Sequence, residues 1–170
     1  MWGSREFRIL RWFMALAGVG LLIPGAIFLM SWPDTMLAFG RAFGSGLAPI
    51  AGGFSVAALV LGGLSFICGR GVRIGAVLAG VALLLGAFVH WQWSQMMNQR
   101  LEMLPASLSD EQRTMLEDTI RFAGNAQIPH MLKNLVLAGI CVVVFVLGPG
   151  VCRACKEVLG KKRAGEKGDV

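Results

Sequence analysis

Four stretches of this chain carry no charged residue, and each is long enough to cross a bilayer. They are WFMALAGVGLLIPGAIFLMSW (12–32), AFGSGLAPIAGGFSVAALVLGGLSFICG (42–69), IGAVLAGVALLLGAFVHWQWSQMMNQ (74–99) and NLVLAGICVVVFVLGPGVC (134–152). A hydrocarbon core of ~30 Å takes ~20 mostly apolar residues in helical form. Inside it every backbone N–H and C=O must be paired, which an α-helix does within one segment. A chain of 170 residues has too little volume to hide four such segments in a water-soluble core. The expected fold is all-α: an integral membrane four-helix bundle with spans at about 9–31, 48–68, 72–95 and 131–150. One further helix is expected at about 110–123, inside a second outer loop covering 96–130, and a basic tail at 153–170.

The charges that remain are sorted by loop. Arg5, Arg8 and Arg11 precede span one, Arg70 and Arg73 fill the link between spans two and three, and Arg153, Lys156, Lys161, Lys162, Arg163 and Lys167 follow span four. These are 11 of the 16 Lys and Arg residues. Arg41, Arg100, Arg113, Arg121 and Lys133 occupy the other two loops, where six carboxylates offset them. The positive-inside rule therefore places both termini and the short link in the cytoplasm, and an even number of spans agrees. A net charge of +6 spread over loops in this way argues against nucleic-acid binding. The basic start of span one resembles a signal peptide. Its apolar run is longer than an h-region and no A-x-A-like site follows, so span one is expected to be retained.

Small residues recur four apart at Gly53 and Ala57, Ala58 and Gly62, Ala76 and Gly80, and Ala82 and Gly86. Lipid gives helices no hydrophobic reason to pair, so close backbone approach through small side chains must hold a bundle together. The link GRGVR (69–73) makes spans two and three an antiparallel hairpin. The first outer loop, SWPDTMLAFGR (31–41), is short, and Gly44, Gly46 and Pro49 mark an irregular approach to span two. In the second outer loop, Ser109 and Gln112 fit a capping box, and Asp110 and Glu111 suit the positive end of a helix. Leu108, Met115, Leu116, Ile120 and Ala123 form one apolar side, ended by Gly124. Leu108, Met115, Leu116 and Ile120 are the candidate partner-binding residues, with other integral membrane subunits and the bilayer as partners.

The candidate chemistry is sparse. Cys152 and Cys155 form a Cys-x-x-Cys at the cytoplasmic end of span four, and Cys68 lies at the same end of span two. That is a reducing side, which disfavours a structural disulfide, and the two histidines lie at the opposite side, so no zinc site is completed. S-palmitoylation of these thiols beside the basic tail is an alternative in a eukaryotic source. His90 and His130 are the only histidines, and both fall near the outer interface. With Trp91, Trp93 and Asn134 nearby they are candidates for holding a quinone or a bis-imidazole haem. No acidic or basic residue sits in the middle of a span, which disfavours an ion-coupled pump. No nucleophile or phosphate-loop motif is present. The residues thus point to a non-enzymatic accessory or scaffold subunit without cofactor. A redox-associated quinone or haem protein and a lipid or small-molecule carrier are the alternatives.

The segments ILRWFMALAGVGLLIPG and GGFSVAALVLGGLSFICGRGVRIGAVLAGVALLLGAFVHW resemble the small four-helix bacterial DoxX-like membrane proteins. The resemblance covers about a third of the chain. It implies quinone-linked or oxidative-stress functions and assigns no site residue; the expected location is a bacterial inner membrane ahead of an organelle or plasma membrane.

Overall fold

A computed structural model describes the backbone of residues 4–165 and the side chains of residues 8–147. Six helices follow one another: α1 Ser4–Met30, α2 Trp32–Phe43, α3 Ala48–Cys68, α4 Val72–Glu102, α5 Asp110–Asn125 and α6 Gln127–Gly165. Among the described residues, four of the helical segments are long and apolar enough to cross a membrane, and they fall in α1, α3, α4 and α6. Pro24 lies inside α1 without ending it.

The four long helices run alternately up and down. Gly18 meets Gly63 while Gly25, further along α1, meets Leu59 and Val60, so α1 and α3 are antiparallel. Gly62 meets Ala79 and Ser65 meets Gly75, which makes α3 and α4 antiparallel. Gly80 faces Cys141 and Gly86 faces Asn134, so α4 and α6 are antiparallel as well. The start of α1 and the 69–71 turn therefore share one end of the bundle, and α2 and α5 share the other. The turn is tight because Gly69 and Gly71 take φ of 69° and 64°, a left-handed conformation that only glycine adopts freely.

The core runs between the four long helices. Met14 and Leu21 from α1, Leu59 and Phe66 from α3, Ala79 and Leu83 from α4, and Ala138, Cys141 and Val144 from α6 form one continuous cluster. A close backbone approach occurs at α3, where two adjacent glycines serve two neighbours. A Cβ on Gly63 would stand 2.7 Å from the Gly18 carbonyl oxygen, and a Cβ on Gly62 would stand 2.7 Å from the Ala79 Cβ and 2.8 Å from the Gly75 carbonyl oxygen. Successive helix positions differ by about 100°, so one glycine opens the flank toward α1 and the next opens the flank toward α4. Of the small-residue pairs read from the sequence, Ala58 and Gly62 are both buried. Ala57 is exposed, so Gly53 and Ala57 do not form a packed seam.

The first outer loop is a helix, which corrects the reading of 31–41 as a plain loop, while the approach to α3 at 44–47 is irregular as expected, with Gly44 at φ 84°. Ser31 marks the bend between α1 and α2. Its hydroxyl donates to the Ile27 carbonyl at 2.7 Å, and the buried Thr35 hydroxyl donates to that of Phe28 at 3.1 Å. The Ile27 carbonyl also accepts the Ser31 N–H at 2.9 Å, so the Ser31 hydroxyl adds a second bond to it at the end of α1, where carbonyls run out of intrahelical donors. Pro33 near the start, Asp34 in the first turn and Arg41 in the last all suit a helix and its dipole. Phe39 is buried against Ala48 of α3 and Val89 of α4, so α2 covers the ends of both.

The second outer loop contains α5, two residues longer than expected. Ser109 Oγ accepts from the Gln112 N–H and Gln112 Oε1 accepts from the Ser109 N–H, both at 3.3 Å. Ser109→Ala should lower α5 stability by about 1 kcal/mol. Hydrogen exchange should report this as roughly fivefold faster exchange of amides in α5, with α4 unchanged. Only Ala126 separates α5 from α6. The α6 backbone stays helical through positions 152 and 155 into the basic segment, whereas the side chains of Cys152 and Cys155 lie outside the described residues.

Candidate functional site

The α4–α6 seam shows why polar residues gather at one of its ends. From the middle outward, α6 presents Val144, Cys141, Ala138 and Asn134, all buried, at helical spacing. Cys141 faces Gly80 and Asn134 faces Gly86 on α4, and the missing side chains of these glycines bring the helices close. Asn134 is only 4% exposed. Its amide nitrogen occupies the space over Gly86, 2.8 Å from where a Cβ on that residue would lie.

One turn further out, the two histidines come together. The ring centroids of His90 and His130 are 5.3 Å apart, with their planes 20° from parallel. His90 Nδ1 lies 2.8 Å from Gln127 Oε1. The Gln127 amide nitrogen donates to the Ala123 carbonyl at 3.4 Å. That second bond orients the amide so that its oxygen faces His90. The oxygen can only accept, so Nδ1 carries the proton and Nε2 of the neutral ring carries a lone pair. His90 is half-buried and His130 exposed.

The other residues expected at this site lie elsewhere on α4. Trp91 joins an aromatic ladder, 5.7 Å from Phe88, which is 5.5 Å from Phe43 of α2. Trp93 lies under the Arg41 guanidinium, whose carbon is 4.8 Å from the ring centroid. Positions 90, 91 and 93 point in three directions on a helix of 3.6 residues per turn. The structure therefore brings together His90 and His130, with Asn134 one turn below, and sends both tryptophans toward other flanks. Gln127 was missed by sequence reading. The available signal was its place one turn before His130 on the same helix.

The residues expected to bind a partner are also divided. Gly124 of α5 packs on Met97, Ser94 and Asn98 of α4. Leu108 and Ile120 are half-buried, while Met115 and Leu116 are exposed. Phe122, which the sequence reading passed over, is the most exposed large apolar residue of α5 at 78%, followed by Met115 at 74%.

No protein-family model, curated protein or solved structure matches this chain.

Proposed function

We propose that the chain is a non-catalytic accessory or scaffold subunit of a larger membrane complex. The observation that supports this most directly is the apolar flank of α5. Met115 and Phe122 project from a helix that also carries Asp110, Glu111, Arg113, Glu117, Asp118 and Arg121. Met115 and Phe122 lie two turns apart on the same side of α5, and apolar area gathered on one exposed face supports an interaction surface. Methionine and phenylalanine suit that use, since one adapts its shape and the other buries a large area. The partners are other integral membrane subunits with a surface at the same level.

The test is mild-detergent purification from native membranes, with mass spectrometry and an absorption spectrum on the same sample. A stoichiometric set of larger proteins is expected, and M115D/F122D should lose that set while keeping the elution volume of the wild-type chain. A chain that purifies alone with a bound chromophore or extractable quinone would replace this reading with the redox-associated one.

The proposal includes the orientation implied by the charge bias, with the 69–71 turn and both termini in the cytoplasm of a bacterial inner-membrane protein. Cys68 is exposed at the turn end, whereas Ser107 is exposed in the loop before α5. In a variant lacking the other cysteines, Cys68 should react with an impermeant maleimide only after cells are opened. A cysteine placed by S107C should react in intact cells. The reverse pattern would invert the topology.

A further inference from the structure

We infer that Arg8, Arg11, Trp12 and Ala15 of α1, with Ile67 of α3, form a binding site for the headgroup of one anionic phospholipid, in the leaflet that the 69–71 turn faces. This goes beyond the accessory-subunit reading and does not depend on it. The five residues line a pocket of about 310 Å³, at the small end of the range for ligand sites. Positions 8, 11, 12 and 15 follow helical spacing, so one face of α1 carries all four. The helix crossing closes the pocket from below. Gly18 takes α3 against its backbone, and a Cβ there would stand 2.8 Å from Ile67 Cγ1. One turn nearer the start of α1, the small Ala15 leaves room, and the seam opens between the arginines and Ile67.

Depth and chemistry select the ligand. The apolar span of α1 begins at Arg8 and covers 23 residues. That is about 35 Å of helix against a hydrocarbon layer of ~30 Å, so Arg8 and Arg11 stand at the membrane boundary. Helical side chains lean toward the N-terminus, which here carries both guanidinium groups outward to the level of the lipid phosphates. Trp12 is 70% exposed, at the depth where indole rings prefer to lie. A guanidinium grips phosphate oxygens with paired N–H donors, and basic pockets between membrane helices suit anionic headgroups. Among the described side chains, the carboxylates lie at the other end of the bundle, on α2, α5 and the end of α4, where they do not compete with a phosphate. A free phosphate would use the arginines alone, whereas Trp12, Ala15 and Ile67 add an apolar wall that only an amphipathic anion uses. A choline headgroup would bring its own cation beside the guanidinium groups, which disfavours zwitterionic lipid.

The experiment places the full chain in phosphatidylcholine nanodiscs and adds phosphatidylglycerol brominated on its acyl chains, which quenches nearby indoles. Brominated phosphatidylcholine is the reference, and subtracting the W12F signal isolates Trp12. Trp12 should prefer phosphatidylglycerol by at least about tenfold, and R8Q and R11Q should each lower that preference about fivefold while eluting as wild type does. R70Q/R73Q removes two charges from the same end but outside the pocket, and should change the preference less than about twofold, because water screens those groups. Inorganic phosphate in the buffer should leave the quenching unchanged. Equal quenching by the two lipids would overturn the proposal and leave ordinary annular contact. An equal loss in R70Q/R73Q would overturn it in favour of diffuse surface charge, and displacement by inorganic phosphate in favour of a free-anion site.

Discussion

Replacing Gly63 by valine should destabilise the bundle by about 3 kcal/mol, at the upper end of what overpacking costs. The reason is the identity of the obstructing atom. An added Cβ would meet the Gly18 carbonyl oxygen at 2.7 Å and the Leu22 side chain at 3.0 Å. A side chain can change rotamer, but a carbonyl fixed in the hydrogen-bond ladder of α1 cannot move unless the helix moves. The variant must therefore separate α1 from α3 or fail to assemble. Gly20 is the control, since a Cβ there has no atom within 4 Å. Reversible unfolding in mixed detergent should show a large loss for G63V and a change within about 0.5 kcal/mol for G20V. Equal effects would remove the crossing from the account of assembly.

The second large effect is expected at the α3–α4 hairpin. G62V should cost about 2–3 kcal/mol, because the new side chain presses on the Ala79 Cβ and the Gly75 carbonyl together. G86A should be much milder, below about 1 kcal/mol, because its obstruction is the Asn134 amide, which can rotate aside. The same measurement checks both, and the ranking Gly62 above Gly86 is the discriminating result. A larger loss at Gly86 would mean that the Asn134 amide is pinned in place.

The parts of this fold that could be read in advance follow from the solvent. Four uncharged runs located the four long helices because a bilayer leaves a chain few other options. The capping box located α5 because its two hydrogen bonds join residues three apart. Contacts between distant segments were less legible. Gly53 and Ala57 have the same spacing as Ala58 and Gly62, yet only the second pair is buried, since spacing describes one helix and says nothing of its neighbour. Gly18 and Gly63 are 45 positions apart, and nothing local joins them. The helix α2 was masked in another way. Ala42 and Phe43 continue without a charge into the next apolar run, which blurred its end, although Asp34 and Arg41 mark its two termini. At the histidine site, proximity of His90 and His130 followed from their equal depth. The separation of Trp91 and Trp93 followed from helical angle, which equal depth conceals.

The length of α4 has a consequence for how this protein meets its surroundings. Its 31 residues extend about 46 Å along the axis, whereas the hydrocarbon layer measures about 30 Å. Some 15 Å of rigid rod is left over, and α5 is fastened to that surplus at Gly124, beside Met97 and Asn98. The rod thus fixes a height. On the accessory-subunit proposal, the level of α5 along this rod sets the height at which a partner must meet Phe122 and Met115, so reach is selected as well as chemistry.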